Sequence, residues 1–131
     1  MVIRMSRSIL QNKRDERCYI CAHYQQAPSP PQIRYDKLGN AHPCLEEHHV
    51  FEGIYRRASE KYGLKVYLCK YHHTGDINGS SEAVHMHPNE GADLWLKRRA
   101  QYAWERCYAK HLHESEDANE EFREVFGKSY L

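Results

Sequence analysis

Long hydrophobic runs are missing from this chain of 131 residues. None approaches the roughly 20 apolar residues that a membrane helix needs, so no membrane role is expected. The opening residues, MVIRMSRSILQNKRDER, lack the apolar stretch of a signal peptide. No single sign of charge dominates, because the net charge is +1 with His neutral. Glycine and proline, at 7 and 5 residues, are too few for collagen-like or low-complexity classes. Phenylalanine is scarce (3) beside tyrosine (10). Five cysteines is an odd number, which argues against a pure disulfide framework. What the chain does have is histidine, ten in all. Cysteine and histidine together in a chain without a secretory leader suggest metal ligands in a reducing cytoplasm. Length alone suggests one domain, residues 1–131.

Charge is patterned although its sum is small. Residues 1–17, 52–70 and 94–110 are each basic, and residues 111–126 carry six acids against Arg123. Such asymmetry suits a polyanion, although solvated helix faces also explain it. Ser8 to Arg17 reads as a short helix or loop. Residues 25–43, with Pro28, Pro30, Pro31, Gly39 and Pro43, read as an extended loop with a short hairpin near Ile33–Leu38. Leu45 to Phe51 reads as a strand, Ile54 to Tyr62 as a basic helix ended by Gly63, and Leu64 to Leu68 as a second strand. A long helix is expected over about 90–112, with Leu96, Ala100, Ala103 and Cys107 as its apolar stripe, widened by Trp104 and Tyr108. A last helix over about 116–126 would bury Phe122, Val125 and Phe126.

Two ligand pairs stand out, Cys18-Tyr-Ile-Cys21 and Cys69-Lys-Tyr-His72. A two-residue spacer lets both side chains of a pair reach one tetrahedral ion. Together they propose a structural zinc, with the second pair following a strand as in treble-clef sites. Cys44 is a rival fourth ligand. Next comes Glu46-Glu47-His48-His49-Val50. Neighbouring strand residues face opposite ways, so one histidine can hold a metal while the other meets a substrate. His73 follows His72 and is free for a second ion. His23, His42, His111 and His113 read as solvated.

The stretch CYIC, then EEHHVFEGIYRRASEKYGLKVYLCKYHH, then AVHMHP resembles the HNH endonucleases of the His-Me finger (ββα-metal) superfamily. The run SILQNKRDERCYIC and the ending EEFREVFGKSYL resemble small phage- and prophage-encoded members, and phage recombination nucleases share the HH…LCxxHH arrangement more distantly. The resemblance implies an α+β fold: a ββα-metal, treble-clef-like core over residues 15–88 and a helical C-terminal extension over 89–131. It implies a metal-dependent DNA endonuclease that hydrolyses phosphodiester bonds. His49 would be the general base. His48 and His73, with His85 as a third ligand, would hold the catalytic divalent ion (Mg²⁺, Mn²⁺ or Ni²⁺). Cys18, Cys21, Cys69 and His72 would hold the Zn²⁺. Arg56, Arg57 and Lys61 would contact phosphates of the DNA, and Lys97, Arg98 and Arg99 would extend the basic track.

One departure stands against this. The family's central Asn, which orients the base histidine, falls where this chain has Leu64. A backbone carbonyl or Asn78 would have to replace it. Two other classes therefore stay open: a non-catalytic, zinc-stabilised DNA-binding module, and a phage recombination or packaging accessory that meets a recombinase or another phage protein through the acidic segment Glu114–Glu124.

Overall fold

Two adjacent histidines on a short strand set the geometry of this fold. The structure is a computed structural model and describes residues 7–75, 82–109 and 115–131. Strand β3 (Glu46–His49) pairs antiparallel with β4 (Lys65–Leu68). The register sets Glu46 opposite Leu68, Glu47 opposite Tyr67, His48 opposite Val66 and His49 opposite Lys65. Side chains alternate across a sheet. One face therefore carries His48, Val66 and Leu68, all buried. The other carries Glu47, His49, Lys65 and Tyr67. A one-residue slip would exchange the faces.

Between the strands lie a 3-10 turn (Gly53–Tyr55) and helix α2 (Arg56–Tyr62). Gly63 ends α2 at φ +69°, the left-handed geometry that glycine adopts freely. A Cβ there would collide with the carbonyl of Arg7. That close approach exists because the Ile9 N–H donates to the Gly63 carbonyl at 2.9 Å. Further along, the Tyr67 N–H donates to Gln11 Oε1 at 2.8 Å. The N-terminal segment thus lies beside β4, and the sequence-expected helix there reduces to a 3-10 turn at Lys13–Asp15.

Helix α1 (Tyr19–His23) starts from Cys18, and α3 (Lys70–His73) starts from Cys69. A second hairpin pairs β1 (Ile33–Tyr35) with β2 (Ala41–Pro43), within the loop where the sequence suggested one. The expected α+β class, with a cysteine-histidine cluster in the core and helices after it, is what forms.

Helix α4 (Gly91–Tyr108) and helix α5 (Ser115–Phe126) cover this core. All three phenylalanines meet. Phe51 lies 5.4 Å from Phe122 and 4.7 Å from Phe126, and Phe122 stacks on Phe126 at 4.7 Å. Trp104 joins them from α4. The α4 stripe agrees with expectation at Leu96, Ala100 and Trp104 and departs from it at the C-terminal end. Ala92, Leu96, Ala100 and Trp104 are buried, whereas Cys107 and Tyr108 are exposed. The helix ends at Tyr108, its backbone turning extended at Ala109, so the last expected turn has no core to face. Gln101, fully buried, donates to Glu105 and Ser129 and accepts from the Tyr130 N–H at 2.7 Å. These bonds fasten the C-terminal residues to α4.

Candidate metal centre

Cys18, Cys21, Cys69 and His72 converge. His72 Nδ1 lies 3.5, 3.3 and 3.5 Å from the Sγ atoms of Cys18, Cys21 and Cys69, and the Sγ atoms of Cys21 and Cys69 are 3.7 Å apart. A tetrahedral zinc with ordinary bond lengths requires S···S near ~3.8 Å and S···N near ~3.5 Å. The spacing matches. Local structure explains it: each pair spans the first turn of a helix whose cap is the pair's first cysteine. The Cys21 N–H points at Cys18 Sγ at 3.5 Å. Cys44 stays outside this group, where its N–H donates to the Gln32 carbonyl.

Titration behaviour tells the same story. The Cys21 and Cys69 side chains, with burial, push the Cys18 thiol up. Hydrogen bonds from Cys18 and Cys21 pull Cys69 down. Burial would lower His72, but the neighbouring thiols outweigh it and raise the group to about 9. A divalent cation allows three thiolates and a neutral imidazole, which is the donor set of a structural Zn²⁺ site.

A second cluster lies on the other side of α3. His48, His73 and His85 form a three-imidazole group. Ring centroids are 5.2 Å (His48–His73), 5.3 Å (His48–His85) and 4.6 Å (His73–His85) apart, and Nε2 of His73 and His85 are 3.0 Å apart. His48 is 2% exposed, and neither ring nitrogen has a hydrogen-bond partner. Such orphaned buried groups are costly. Burial first, then His73 and His85, push its pKa down to about 3. The ring is therefore neutral at physiological pH, as a metal ligand must be. Glu52 completes the rim, its Oε1 3.2 Å from His85 Nε2 and 3.5 Å from His48 Nδ1. Glu46 Oε1 is 3.2 Å from His73 Nδ1. The His85 backbone N–H donates to the His73 carbonyl and that of Val84 to the His72 carbonyl. This pairing against α3 delivers His85 to the cluster.

His49 points the other way, as strand alternation requires. Its Nε2 lies 2.7 Å from Glu60 Oε2 and 3.8 Å from Glu47 Oε1. Yet His48, His49, His73, Glu47, Glu52, Gly53 and Arg56 line one cleft of about 370 Å³. A larger cleft, about 990 Å³, adjoins it at Glu47 and is lined by Arg7, Lys13, Arg14 and Lys65 among others.

Of the expected phosphate contacts, Arg56 reaches the cleft wall. Arg57 and Lys61 lie on the exposed side of α2. Lys61 Nζ sits 5.1 Å over the Tyr62 ring. Lys97 pairs with Asp93 at 2.8 Å, Arg98 donates to the Tyr130 carbonyl, and Arg99 lies over Trp95, so this trio is engaged in packing. His42 is not merely solvated. It bridges Glu16 at 2.7 Å and Asp36 at 2.8 Å. His23 is exposed beside Tyr19. Asn78, His111 and His113 lie outside the described residues.

Glu52, Glu60 and Lys65 were missed in the sequence. Glu52 had a signal, four residues after His48. Glu60 and Lys65 had none, since their meeting with His49 depends on the strand register and the α2 orientation. Among the described residues no helix is long and apolar enough to cross a membrane. Comparison with protein-family models, curated proteins and solved structures gives no match for this chain. The geometry leaves a small α+β protein with a Cys₃His group consistent with a structural Zn²⁺ and a separate three-histidine cluster at the wall of an open cleft.

Proposed function

We propose that this chain is a metal-dependent DNA endonuclease of the HNH type. One observation carries the reading. His48, with both ring nitrogens buried and without a hydrogen bond, faces His73 and His85, while the adjacent His49 lines the same cleft from the opposite strand face. This is a division of labour between a cation site and a proton acceptor.

Phosphodiester hydrolysis needs a base, positive charge at the phosphate and a poor leaving group made better. His48, His73 and His85 would hold a divalent ion, and Glu52 could add an oxygen ligand. When bound, that ion supplies charge against the pentacoordinate transition state and the departing oxygen. His49 takes the proton of the attacking water. Arg56 at the cleft wall holds a phosphate by charge-assisted hydrogen bonds. The adjoining cleft lined by Arg7, Lys13 and Arg14 continues that positive wall. Cys18 and Cys21 on α1 and Cys69 and His72 at the β4–α3 corner would hold the structural Zn²⁺, which would tie the two together and keep His73, the neighbour of His72, in place. Binding through phosphates is weakly specific and falls with salt.

Protein freed of its exchangeable ion and refilled with Mg²⁺, Mn²⁺, Ni²⁺ or Zn²⁺ tests the reading on supercoiled plasmid. An imidazole-rich site favours Mn²⁺ or Ni²⁺ over Mg²⁺. Nicking that follows this order supports the proposal. Absence of nicking with every ion, in protein that retains its structural zinc, removes it.

A further inference from the structure

Glu60 reaches His49 from α2, eleven residues along the chain, and nothing in the two ligand clusters requires it to. Its Oε2 is 2.7 Å from His49 Nε2, a short contact typical of a charge-assisted bond. Lys65 Nζ donates to both Glu60 oxygens, at 2.9 and 3.1 Å. Lys65 is itself buried and lies directly across the ladder from His49. Glu47 Oε2 is 4.0 Å from the same ammonium and accepts from the Tyr67 hydroxyl at 3.4 Å. A polar row thus runs Tyr67, Glu47, Lys65, Glu60, His49 and stops at the cleft.

Glu47, His49 and Glu60 also form an acidic cluster of the kind that can bind a cation. The Lys65 ammonium already sits among these carboxylates, so the row is charge-satisfied by protein. What remains is orientation. Burial would raise the Glu60 carboxyl, but Lys65 and His49 together outweigh it and hold it below its usual range. An ionised carboxylate only accepts hydrogen bonds. The nitrogen facing it must therefore carry the ring proton.

We propose that Glu60, braced by Lys65, is a positioning residue that holds His49 as the Nε2–H tautomer and leaves the Nδ1 lone pair to accept the proton from water. It takes the place of the asparagine that this chain lacks at Leu64. The proposal rests on the reading of His49 as general base. When Nδ1 takes the proton, the Glu60 carboxylate lies against the imidazolium and stabilises it.

Two readouts test this. The first is the ¹⁵N spectrum of the His49 ring in zinc-loaded protein, which needs no activity. Wild type is expected to show a protonated Nε2 and an unprotonated Nδ1, and Glu60→Ala a mixture of tautomers. A protonated Nδ1 in wild type, or an unchanged pattern in Glu60→Ala, overturns the proposal. The second is plasmid cleavage by Glu60→Gln, whose near-identical volume preserves the fold. A kcat loss of roughly 10–100-fold with KM unchanged is expected. Loss confined to KM, or no loss, overturns it. If wild type does not cleave DNA while the tautomer depends on Glu60, the positioning stands and the nuclease reading alone fails.

Discussion

Replacing Cys69 by serine tests how much of this fold the zinc carries. Cys69 is 3% exposed and belongs to the group whose ligand atoms all lie within 4.8 Å of one another. A bound ion would join the Cys18–Cys21 corner to the Cys69–His72 corner across a loop of about fifty residues. A cross-link closing such a loop is worth about 4 kcal/mol on chain-entropy grounds. Unfolding entropy near about 2.1 cal/mol/K per residue converts that, for a chain of this size, into a Tm lower by roughly 15 °C. The Ile9 N–H bond to the Gly63 carbonyl and the Tyr67 N–H bond to the Gln11 side chain remain, so the drop should not exceed this greatly. Calorimetry of wild type, Cys69→Ser and chelator-treated wild type provides the measurement. Cobalt substitution adds a second readout, because thiolate-to-cobalt absorption reports the cysteines and not the histidine cluster. A Tm within about 3 °C of wild type, under ~1 kcal/mol, together with full thiolate–cobalt absorption, would refute the zinc assignment.

Three further outcomes are expected. His49→Ala should lose about 10²–10⁴-fold in cleavage while its circular dichroism and Tm stay near wild type, since Lys65 still neutralises Glu60. Phe122→Ala should cost about 3–5 kcal/mol in urea unfolding, because Phe122 is fully buried against Phe51, Trp104 and Phe126; a cost below ~1 kcal/mol would mean that α5 does not seal the core. The Asp36 and Glu16 carboxylates raise His42 above 6.5, so its charged form is favoured by the fold. That contribution is full below about pH 6.5 and is lost as pH rises through the raised value, so the Tm gap between wild type and His42→Gln should close with rising pH and is contradicted by a gap that widens.

The strands, α2 with its Gly63 stop, and both zinc-ligand pairs were legible because each rests on local spacing. The opposite facing of His48 and His49 was legible for the same reason, through strand alternation. Four things were not legible from local spacing alone. The α4 stripe kept Leu96, Ala100 and Trp104 but began earlier, at Ala92, and left Cys107 and Tyr108 exposed. His85 was expected beside His48 and His73 only through the family resemblance, since it joins His73 by backbone bonds between segments 84–85 and 72–73, a tertiary pairing that no spacing shows. Glu60 and Lys65 meet His49 only once β3 and β4 are in register. His42 looked solvated because its partners lie six and twenty-six residues away.

The central claim is that the three-histidine cleft hydrolyses DNA and the Cys₃His site does not. Single-turnover cleavage of a labelled duplex by zinc-loaded protein, with and without added Mn²⁺, in wild type and His49→Ala side by side, addresses it most directly. The account predicts cleavage only with added ion and only in wild type, with both proteins equally folded. Equal cleavage by the two proteins, or none by wild type with any ion, would contradict it.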